Sequence, residues 1–401
     1  MELPSSPDAI DPHNADVKDL KRRRPPESFD ILDVTDVLWT LTNRCNLRCI
    51  YCHAIPHART LEPEPTGTQI DHVLQQLRLL PALQSLIVSG GEALISPHVE
   101  RVLQQAEAIA PVCYVITNGT VLGQRQKQLL RAYHPRTMVS VDSIDETENT
   151  TTRGPGVLQK SLDSIKWLLD SGIYTIVIIV LTRSNCDGIQ NTIESLYETG
   201  VRNILVQQLH CTTAAMGDSF IELSPLHGAI RNLFTLIDGW RRERPDLVID
   251  DSEICFFLRR ERDRLLKCDP RQDYLPQRLF MCGAGFNFLA LKANGDVIPC
   301  NAFLDCVAGN VHQQDIRAIL CDSPQFRGLR NLRTHRVDEI PGCRDCPDNP
   351  VCDGGCRADV YNLTGEIGNP HPHCPRLARR PDVCGFDERA MDLRDAGATN
   401  L

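Results

Sequence analysis

Three cysteines near the N-terminus are spaced closely enough to bind one metal centre. Cys45, Cys49 and Cys52 form a CxxxCxxC pattern directly after a short apolar segment. Three thiolates on one tight loop suit three irons of a 4Fe–4S cluster, which otherwise takes four cysteines. The absent fourth thiolate would leave one iron open to an outside ligand, and open coordination makes a metal site reactive. A zinc site completed by His53 or His57 is the alternative that the residues alone leave open.

A second cysteine group lies between residues 268 and 384, which hold 11 of the 18 cysteines. Seven of these cysteines and one glycine form the pattern Cys-x12-Gly-x4-Cys, a gap, Cys-x2-Cys-x5-Cys-x3-Cys, a gap and Cys. These residues are Cys282, Gly295, Cys300, Cys343, Cys346, Cys352, Cys356 and Cys374. Zinc ribbons contain similar CxxC pairs, so the spacing alone indicates a metal but does not choose between zinc and iron.

Composition favours metal binding over disulfide formation. The formal net charge is −9, which argues against nucleic acid or an anionic membrane as the partner. The first 30 residues are polar and interrupted by the basic run Lys21–Arg24, and they lack the apolar core of a signal peptide. The longest apolar run, about nine residues, is far too short to span a membrane. We therefore expect a cytoplasmic protein with reduced, metal-binding thiols.

The elements that must position the first cysteine loop alternate between strand and helix. The predicted strands are Val37–Thr42, Ser85–Ser89, Val112–Thr117, Thr137–Val141, Thr175–Leu181 and Ile204–Gln208. The predicted helices are Thr68–Leu80, Pro97–Ala110, Gln124–Ala132, Gly156–Ser171 and Cys186–Thr199, with a further helical stretch at Pro225–Cys268. This alternation predicts a parallel α/β sheet, either barrel-like or doubly wound. In both arrangements, ligands bind at the carboxyl ends of the strands.

Polar residues follow the predicted strands at those ends. The second strand ends in Gly90-Gly91-Glu92, where two glycines permit close backbone approach and a carboxylate suits an ammonium group. The later strands end in Thr117-Asn118-Gly119, in Ser140 and Asp142, and in Thr182 and Asn185. Helix capping or turn formation is the alternative role for these side chains.

The loop of Cys45, Cys49 and Cys52, with Tyr51 before the last cysteine, resembles the signature of the radical S-adenosylmethionine (radical SAM) superfamily. The resemblance implies a catalytic 4Fe–4S cluster whose open iron chelates S-adenosylmethionine. Its reductive cleavage yields a 5′-deoxyadenosyl radical that abstracts hydrogen from substrate. By the same resemblance, the cofactor-binding residues are Tyr51, Gly90, Gly91, Glu92, Thr117, Asn118, Ser140, Asp142 and Arg153.

The seven-cysteine pattern resembles the SPASM domain that follows the radical SAM core in many peptide-modifying enzymes. This resemblance implies two auxiliary 4Fe–4S clusters. One would use Cys343, Cys346, Cys352 and Cys374. The other would use Cys282, Cys300 and Cys356, with Cys268, Cys306 or an open iron at the fourth position.

Together these resemblances predict a partial (β/α)6 TIM-like barrel followed by a small α+β domain carrying the auxiliary clusters. The predicted divisions are a flexible tail (1–30), the radical SAM core (31–225), a helical bridge (226–279), the SPASM domain (280–386) and a C-terminal tail (387–401).

The resemblance also sets expectations for substrate and partners. The substrate would be a peptide or protein side chain that is crosslinked, epimerised or oxidised, or alternatively a small molecule such as a tetrapyrrole or an aminoglycoside. A non-catalytic Fe–S scaffold is the alternative from another class of protein. Flavodoxin or ferredoxin would donate electrons, and a separate protein would bind a leader peptide, since 30 residues are too few to fold such a domain. Cys211 follows the sixth predicted strand and is a candidate hydrogen donor. His371 and His373 precede Cys374 in a proline-rich loop, which they are expected to shape rather than bind a cluster.

Overall fold

The computed structural model describes residues 33–52, 63–210, 223–250, 283–332, 339–346, 354–371 and residue 374. The predicted tails and the positions of Cys211, Cys268, Cys282, Cys352 and His373 lie outside these ranges. None of the helices in the described ranges combines the length and the apolar character needed to cross a membrane.

One sheet of ten strands runs through the described part of the chain. The strands are β1 (Asp36–Thr40), β2 (Ser85–Ser89), β3 (Val112–Thr117), β4 (Arg136–Ser140), β5 (Thr175–Leu181), β6 (Asn203–Gln208), β7 (Val248–Asp250), β8 (Phe288–Leu291), β9 (Asp296–Ile298) and β10 (Gly309–Asn310). Their spatial order is β10-β9-β8-β1-β2-β3-β4-β5-β6-β7. Strands β1 to β7 are parallel, β8 is parallel to β1, and β8 to β10 are antiparallel.

The strand order decides between the two architectures that the sequence left open. A doubly wound sheet reverses its strand order at a switch point, whereas β1 to β6 follow one another in sequence order. Right-handed crossovers then place all the connecting helices on one face of the sheet. The predicted partial barrel is therefore confirmed, and in the described residues β1 pairs with β8 rather than closing onto β6.

In the described ranges, the first seven helices lie between strands, as the amphipathic patterns predict, and the last three follow β10. They are α1 (Gly67–Leu77), α2 (Val99–Ala106), α3 (Gln124–Tyr133), α4 (Glu146–Arg153), α5 (Leu158–Asp170), α6 (Ile189–Glu198), α7 (Leu223–Glu243), α8 (Ile316–Asp322), α9 (Pro324–Leu332) and α10 (Arg357–Thr364). Helix α4 was not predicted, because its sequence is almost entirely polar. It begins where the Asp145 carboxylate caps the backbone N–H groups of Thr147 and Glu148.

Alternation along the strands separates two apolar faces. Val37 and Trp39 of β1 face the helices and join the main core, together with Leu74 of α1. Leu38 faces the opposite side and packs with Ala290 and others in a smaller cluster. This period of two exposes one sheet face to the helices and leaves the other for the interior of the partial barrel.

The stretch predicted as helical, Pro225–Cys268, is only partly so. Helix α7 ends at Glu243, and Val248–Asp250 forms β7, which pairs with β6 in parallel register. Pro245 cannot continue a helix, and the β-branched pair Val248-Ile249 favours a strand, with Ile249 buried. The prediction of continuous helix was therefore wrong at this point, because the apolar residues were assigned a helical period past the proline.

Candidate active site

The cysteine loop is attached to the turn after β2 by backbone hydrogen bonds. The N–H of Gly91 donates to Thr42 O at 2.7 Å, and that of Glu92 donates to Arg44 O at 2.8 Å. A Cβ added at Gly90 would lie 2.8 Å from Thr42 O, and one at Gly91 would lie 2.4 Å from Arg44 O. The chain's own packing therefore requires both glycines, independently of any ligand.

The three cysteines of this loop are half-buried and lie within eight residues of backbone. The N–H of Leu47 and the side-chain amide of Asn118 point at Cys45 Sγ, at 3.4 and 3.9 Å. Burial raises the pKa of Cys45, and it raises the pKa of Cys49 to about 11. Thiolates at these positions therefore need a compensating positive charge, which a bound metal provides.

Glu92 connects the end of β2 to the end of β3. Its side chain is almost fully buried, and it accepts from Thr117 Oγ1 at 2.9 Å, Leu94 N at 3.1 Å and Asn118 N at 2.7 Å. Burial raises the pKa of this carboxyl group. A carboxylate offers about four acceptor positions, so one remains for a ligand. Glu92 thus positions the Thr117-Asn118 turn whatever else it binds.

Asn118 extends this network to the cysteine loop. Its side-chain N–H donates to Asn46 Oδ1 at 2.9 Å, and its Oδ1 accepts from Thr120 N at 2.8 Å. Gly119 has a φ of +75°, and a Cβ there would lie 3.0 Å from a Val139 methyl group. The end of β3 is therefore held in one conformation beside Cys45.

Tyr51, Asp142 and Arg153 form a buried cluster that the sequence named only as separate residues. The Tyr51 hydroxyl donates to Asp142 Oδ2 at 2.6 Å and accepts from Arg153 Nη1 at 2.7 Å. Arg153 Nη1 lies 3.7 Å from Asp142 Oδ2, and both side chains are at most 5% exposed. Burial raises the pKa of Tyr51; burial alone would lower that of Arg153, but the acidic groups around it raise the pKa. The cysteine loop is thereby fastened to the ends of β4 and α4.

The polar residues after β5, Thr182 and Asn185, form a hydrogen-bonded turn. Asn185 accepts from the N–H of Thr182 at 2.7 Å and donates to the backbone oxygens of Asp142 and Val180 at 2.9 and 2.8 Å. This is the turn-forming role that the sequence left as an alternative. Ser140 is the last residue of β4 and is half-buried.

Helix α4 carries buried polar atoms with no hydrogen bond in the described part of the chain. They are Arg153 Nε and both amide atoms of Asn149, one helical turn earlier. Buried polar groups are nearly always paired, so these atoms suit a bound polar ligand such as a carboxylate. The sequence analysis missed Asn149, although its i, i+4 spacing from Arg153 could have indicated it.

Some of the C-terminal cysteines lie close to one another in the structure. Cys300, Cys306 and Cys356 pack around one small apolar cluster that contains Ala302 and Phe303. Cys343 and Cys346 are half-buried and lie within one turn, where Cys346 N donates to Cys343 O at 3.1 Å. The N–H of Cys374 donates to His371 O at 2.9 Å, which agrees with a loop-shaping role for His371.

His210, His371 and Asp359 form a polar cluster beside Cys356 that the sequence analysis did not predict. His210 Nδ1 lies 3.4 Å from the carboxylate of Asp359, and His371 Nε2 lies 3.7 Å from it. Side-chain atoms of His210, Cys356 and Asp359 all lie within 4.8 Å of one another. Although burial opposes it, the negative charges of Asp359 and Cys356 hold the pKa of His210 well above its usual value. Burial lowers the pKa of His371. Burial alone would raise the pKa of Asp359, but the two histidines hold it below its usual range.

Family comparisons agree with this geometry. The profile of the Radical SAM superfamily matches residues 39–196, and that of SPASM, an iron-sulfur cluster-binding domain, matches residues 282–347. The chain therefore belongs to the radical SAM superfamily and carries a C-terminal SPASM domain. It is an enzyme of the class that binds S-adenosylmethionine and iron–sulfur clusters.

Individual relatives span most of the chain. It is 26% identical to the AdoMet-dependent heme synthase of Methanosarcina barkeri, over 84% of this chain and 95% of that protein. It is 25% identical to the PqqA peptide cyclase of Streptomyces rochei, over 84% and 88%. Streptococcus suis SuiB bound to its precursor peptide SuiA shares the fold, with a TM-score of 0.65, 16% identity, and coverage of 86% of this chain and 76% of that chain.

Proposed function

We propose that Cys45, Cys49 and Cys52 hold a cluster that cleaves S-adenosylmethionine reductively and starts radical chemistry on an organic substrate. The observation that carries this proposal is the packing of the cysteine loop on the Gly90-Gly91 turn, beside the strand ends. When bound, a 4Fe–4S cluster with one open iron supplies the electron that breaks the sulfonium C–S bond.

Arg153 would hold the carboxylate of the cofactor through its Nε, which has no hydrogen bond within the described residues. Tyr51 and Asp142 keep the guanidinium in place, because each contacts the Nη1 atom on its other side. Asn149 offers a donor and an acceptor one turn away on the same helix.

Glu92 would take the amino group of the cofactor at its remaining acceptor position. Thr117 and Ser140 end the adjacent strands β3 and β4, and Asn118 follows β3. We assign all three to the same ligand, together with the backbone of Gly90 and Gly91. Enclosing the cofactor among strand ends would also keep water from the reacting atoms.

The second cysteine group is assigned to two auxiliary clusters. Cys343, Cys346, Cys352 and Cys374 would form a four-thiolate site. Cys282, Cys300 and Cys356 would hold the other cluster. For its fourth ligand, the shared apolar environment of Cys300, Cys306 and Cys356 supports Cys306. Cys268 lies outside the described residues and stays a candidate, as does an open iron.

We assign the substrate to peptide or protein side chains. The relative that is a peptide cyclase and the SuiB structure with its precursor peptide support this class. A reducing partner of the flavodoxin or ferredoxin type and a separate leader-binding protein complete the proposal. Cys211, adjacent to His210 in the chain, stays a prediction as hydrogen donor.

A tetrapyrrole is the second candidate substrate. The similarity to a heme synthase covers 95% of that protein at 26% identity, slightly above the identity to the peptide cyclase. The chemistry assigned to the cysteine loop would be the same for both classes.

Anaerobic reconstitution with iron and sulfide tests the catalytic assignment. After reduction with dithionite, the enzyme should release 5′-deoxyadenosine from S-adenosylmethionine, measured by liquid chromatography and mass spectrometry. The triple variant Cys45→Ala/Cys49→Ala/Cys52→Ala should lose this product and keep the iron of the auxiliary clusters. Product formation by the triple variant would refute the assignment.

A deuterium-transfer experiment distinguishes the two substrate classes. The enzyme is incubated separately with candidate peptides and with a tetrapyrrole, each deuterated at its carbon-bound positions. Deuterium in 5′-deoxyadenosine from the peptide alone supports the peptide assignment. Deuterium from the tetrapyrrole alone would replace it with the second candidate.

A further inference from the structure

Leu209 connects the carboxyl end of the parallel sheet to the C-terminal region. It follows β6 directly and is 3% exposed. Its side chain packs against Tyr51 of the cysteine loop, Val180 of β5 and Leu363 of α10. In the described residues this cluster is separate from the main core that the helices cover. One leucine therefore contacts both the cysteine loop and a helix of the cysteine-rich C-terminal region.

Two of the residues that Leu209 contacts hold Asp142. The Tyr51 hydroxyl donates to Asp142 Oδ2 at 2.6 Å, and the backbone N–H of Val180 donates to Asp142 Oδ1 at 3.3 Å. The same Tyr51 hydroxyl accepts from Arg153 Nη1 at 2.7 Å. Leu209 thus packs against residues that fix the buried cluster around Arg153.

A different side of α10 attaches this helix to the rest of the C-terminal region. The Tyr361 ring packs with Phe303, with ring centroids 6.1 Å apart, and Ala358 belongs to the same apolar cluster. Because Ala358 and Tyr361 are spaced i, i+3, they share one side of the helix. Leu363 lies on another side and contacts Leu209. The position of α10 is therefore transmitted to the cysteine loop through this leucine pair.

The Tyr51 hydroxyl must keep its place for both of its hydrogen bonds to persist, because hydrogen bonds depend steeply on geometry. Protein interiors are close-packed, and truncation of a buried leucine leaves a cavity into which its neighbours relax. Relaxation of the Tyr51 ring would displace a partner of Arg153, whose Nε is assigned to the cofactor carboxylate. Leu209 can therefore change cofactor affinity without touching the cofactor.

We propose that Leu209 is a positioning residue that couples α10 to the S-adenosylmethionine site by packing between Leu363 and Tyr51. The inference rests on the proposed function, in which Arg153 holds the carboxylate of the cofactor. Docked α10 supports Tyr51 through Leu209, and Tyr51 keeps the guanidinium in its binding orientation. Coupling between two sites is reciprocal, so bound cofactor in turn stabilises α10 against local opening.

The test uses the full-length protein reconstituted with iron and sulfide under anaerobic conditions. Isothermal titration calorimetry gives the dissociation constant for S-adenosylmethionine, and iron analysis gives the cluster content. Hydrogen–deuterium exchange followed by mass spectrometry measures the opening of α10 with and without the cofactor.

Four variants separate the contact from general stability. Leu209→Ala and Leu363→Ala each remove one side of the contact, and their combination tests whether they act together. Leu209→Met keeps a side chain of similar volume. Leu103→Ala is the matched control, because Leu103 is also 3% exposed but belongs to the main core.

Leu209→Ala should keep its iron and raise the dissociation constant about tenfold, within the usual range of coupling between sites. Leu209→Met should recover most of the parent's affinity. Leu363→Ala should weaken binding in the same direction, and its addition to Leu209→Ala should change little further, because both act through one contact. The cofactor should slow exchange in α10 of the parent but not of Leu209→Ala. The control should bind the cofactor as the parent does, even where its urea midpoint is lower.

An unchanged dissociation constant in folded, iron-replete Leu209→Ala would overturn the coupling and leave the proposed function intact. Strictly additive effects of the two alanine substitutions, or an equal loss of affinity in Leu103→Ala, would also overturn it, since general destabilisation would then account for the loss. Exchange in α10 that does not respond to the cofactor would contradict the reciprocity. A reconstituted parent that binds no cofactor would refute the proposed function, and the coupling with it. If Leu209→Ala does not fold, Leu363→Ala, which truncates a half-buried side chain, decides the question by the same criteria.

Discussion

Gly91→Ala should detach the cysteine loop from the turn after β2. The added Cβ would lie 2.4 Å from the carbonyl oxygen of Arg44 and 2.6 Å from its carbonyl carbon. Both are backbone atoms, so no side-chain rotation relieves the overlap. Because ordinary contacts begin at 3.4 Å, the two segments must separate by roughly 1 Å.

The loss of stability in Gly91→Ala has two sources. Overpacking of a well-packed site typically costs about 1–3 kcal/mol. A separation of this size also stretches the hydrogen bonds from Gly91 N to Thr42 O and from Glu92 N to Arg44 O, which now measure 2.7 and 2.8 Å. Each contributes about 0.5–1.5 kcal/mol. We therefore expect a loss of about 2–6 kcal/mol in the free energy of unfolding, taken as the sum of these two sources.

Urea unfolding of the iron-free protein measures this loss, and iron analysis after reconstitution measures its effect on the site. The variant should lose the iron of the catalytic cluster and retain that of the auxiliary clusters. Gly328→Ala is the matched control, because this exposed glycine of α9 has no heavy atom within 4 Å of the added Cβ. Helix propensity predicts that the control is neutral or up to about 1 kcal/mol more stable. A Gly91→Ala protein with the parent's unfolding midpoint and iron content would refute the packing argument.

Three further predictions follow from buried groups. Tyr51→Phe removes the hydroxyl that bridges two buried charges and should lower the free energy of unfolding by about 1–3 kcal/mol in urea titrations; an unchanged midpoint would contradict the role of the bridge. Glu92→Gln replaces an acceptor oxygen with a donor amide and should cost about 1–3 kcal/mol. Because burial raises the pKa of Glu92, the parent's advantage should shrink as the pH rises above the ordinary value of 4.5 through the raised pKa, and a growing advantage would refute this sign. Burial raises the pKa of Cys113 to about 12, so iodoacetamide at pH 8 should modify the exposed Cys321 and spare Cys113; equal modification in mass spectra of the folded protein would contradict this.

The sequence predicted the first six strands closely, because each is a short apolar run bounded by turn residues. Strand β2, for example, was predicted and found at Ser85–Ser89. Strand β7 was missed because it is only three residues long and its apolar residues also fit a helical period. Helix α4 was missed because its stability comes from a cap and from tertiary contacts, and its sequence has no apolar stripe.

The pairing of β8 with β1 could not be predicted from the sequence. More than 240 residues separate Val37 from its partner Leu289, and local pattern carries no information about such a contact. The result matters for the proposed division at residue 280, since strands assigned to the SPASM domain continue the sheet of the core.

Cysteine spacing alone indicated two metal-binding regions, because ligand number and spacing are local properties of a loop. The resemblance to the radical SAM superfamily implied that the first of them holds an iron with an open position. Tertiary structure decided which atoms meet. It brought Tyr51, Asp142 and Arg153 into one buried cluster, and it placed side-chain atoms of His210, Cys356 and Asp359 within 4.8 Å of one another. These contacts join strand ends and helices that lie 90 to 150 residues apart in the chain, and their hydrogen bonds form only when packing removes the side chains from water.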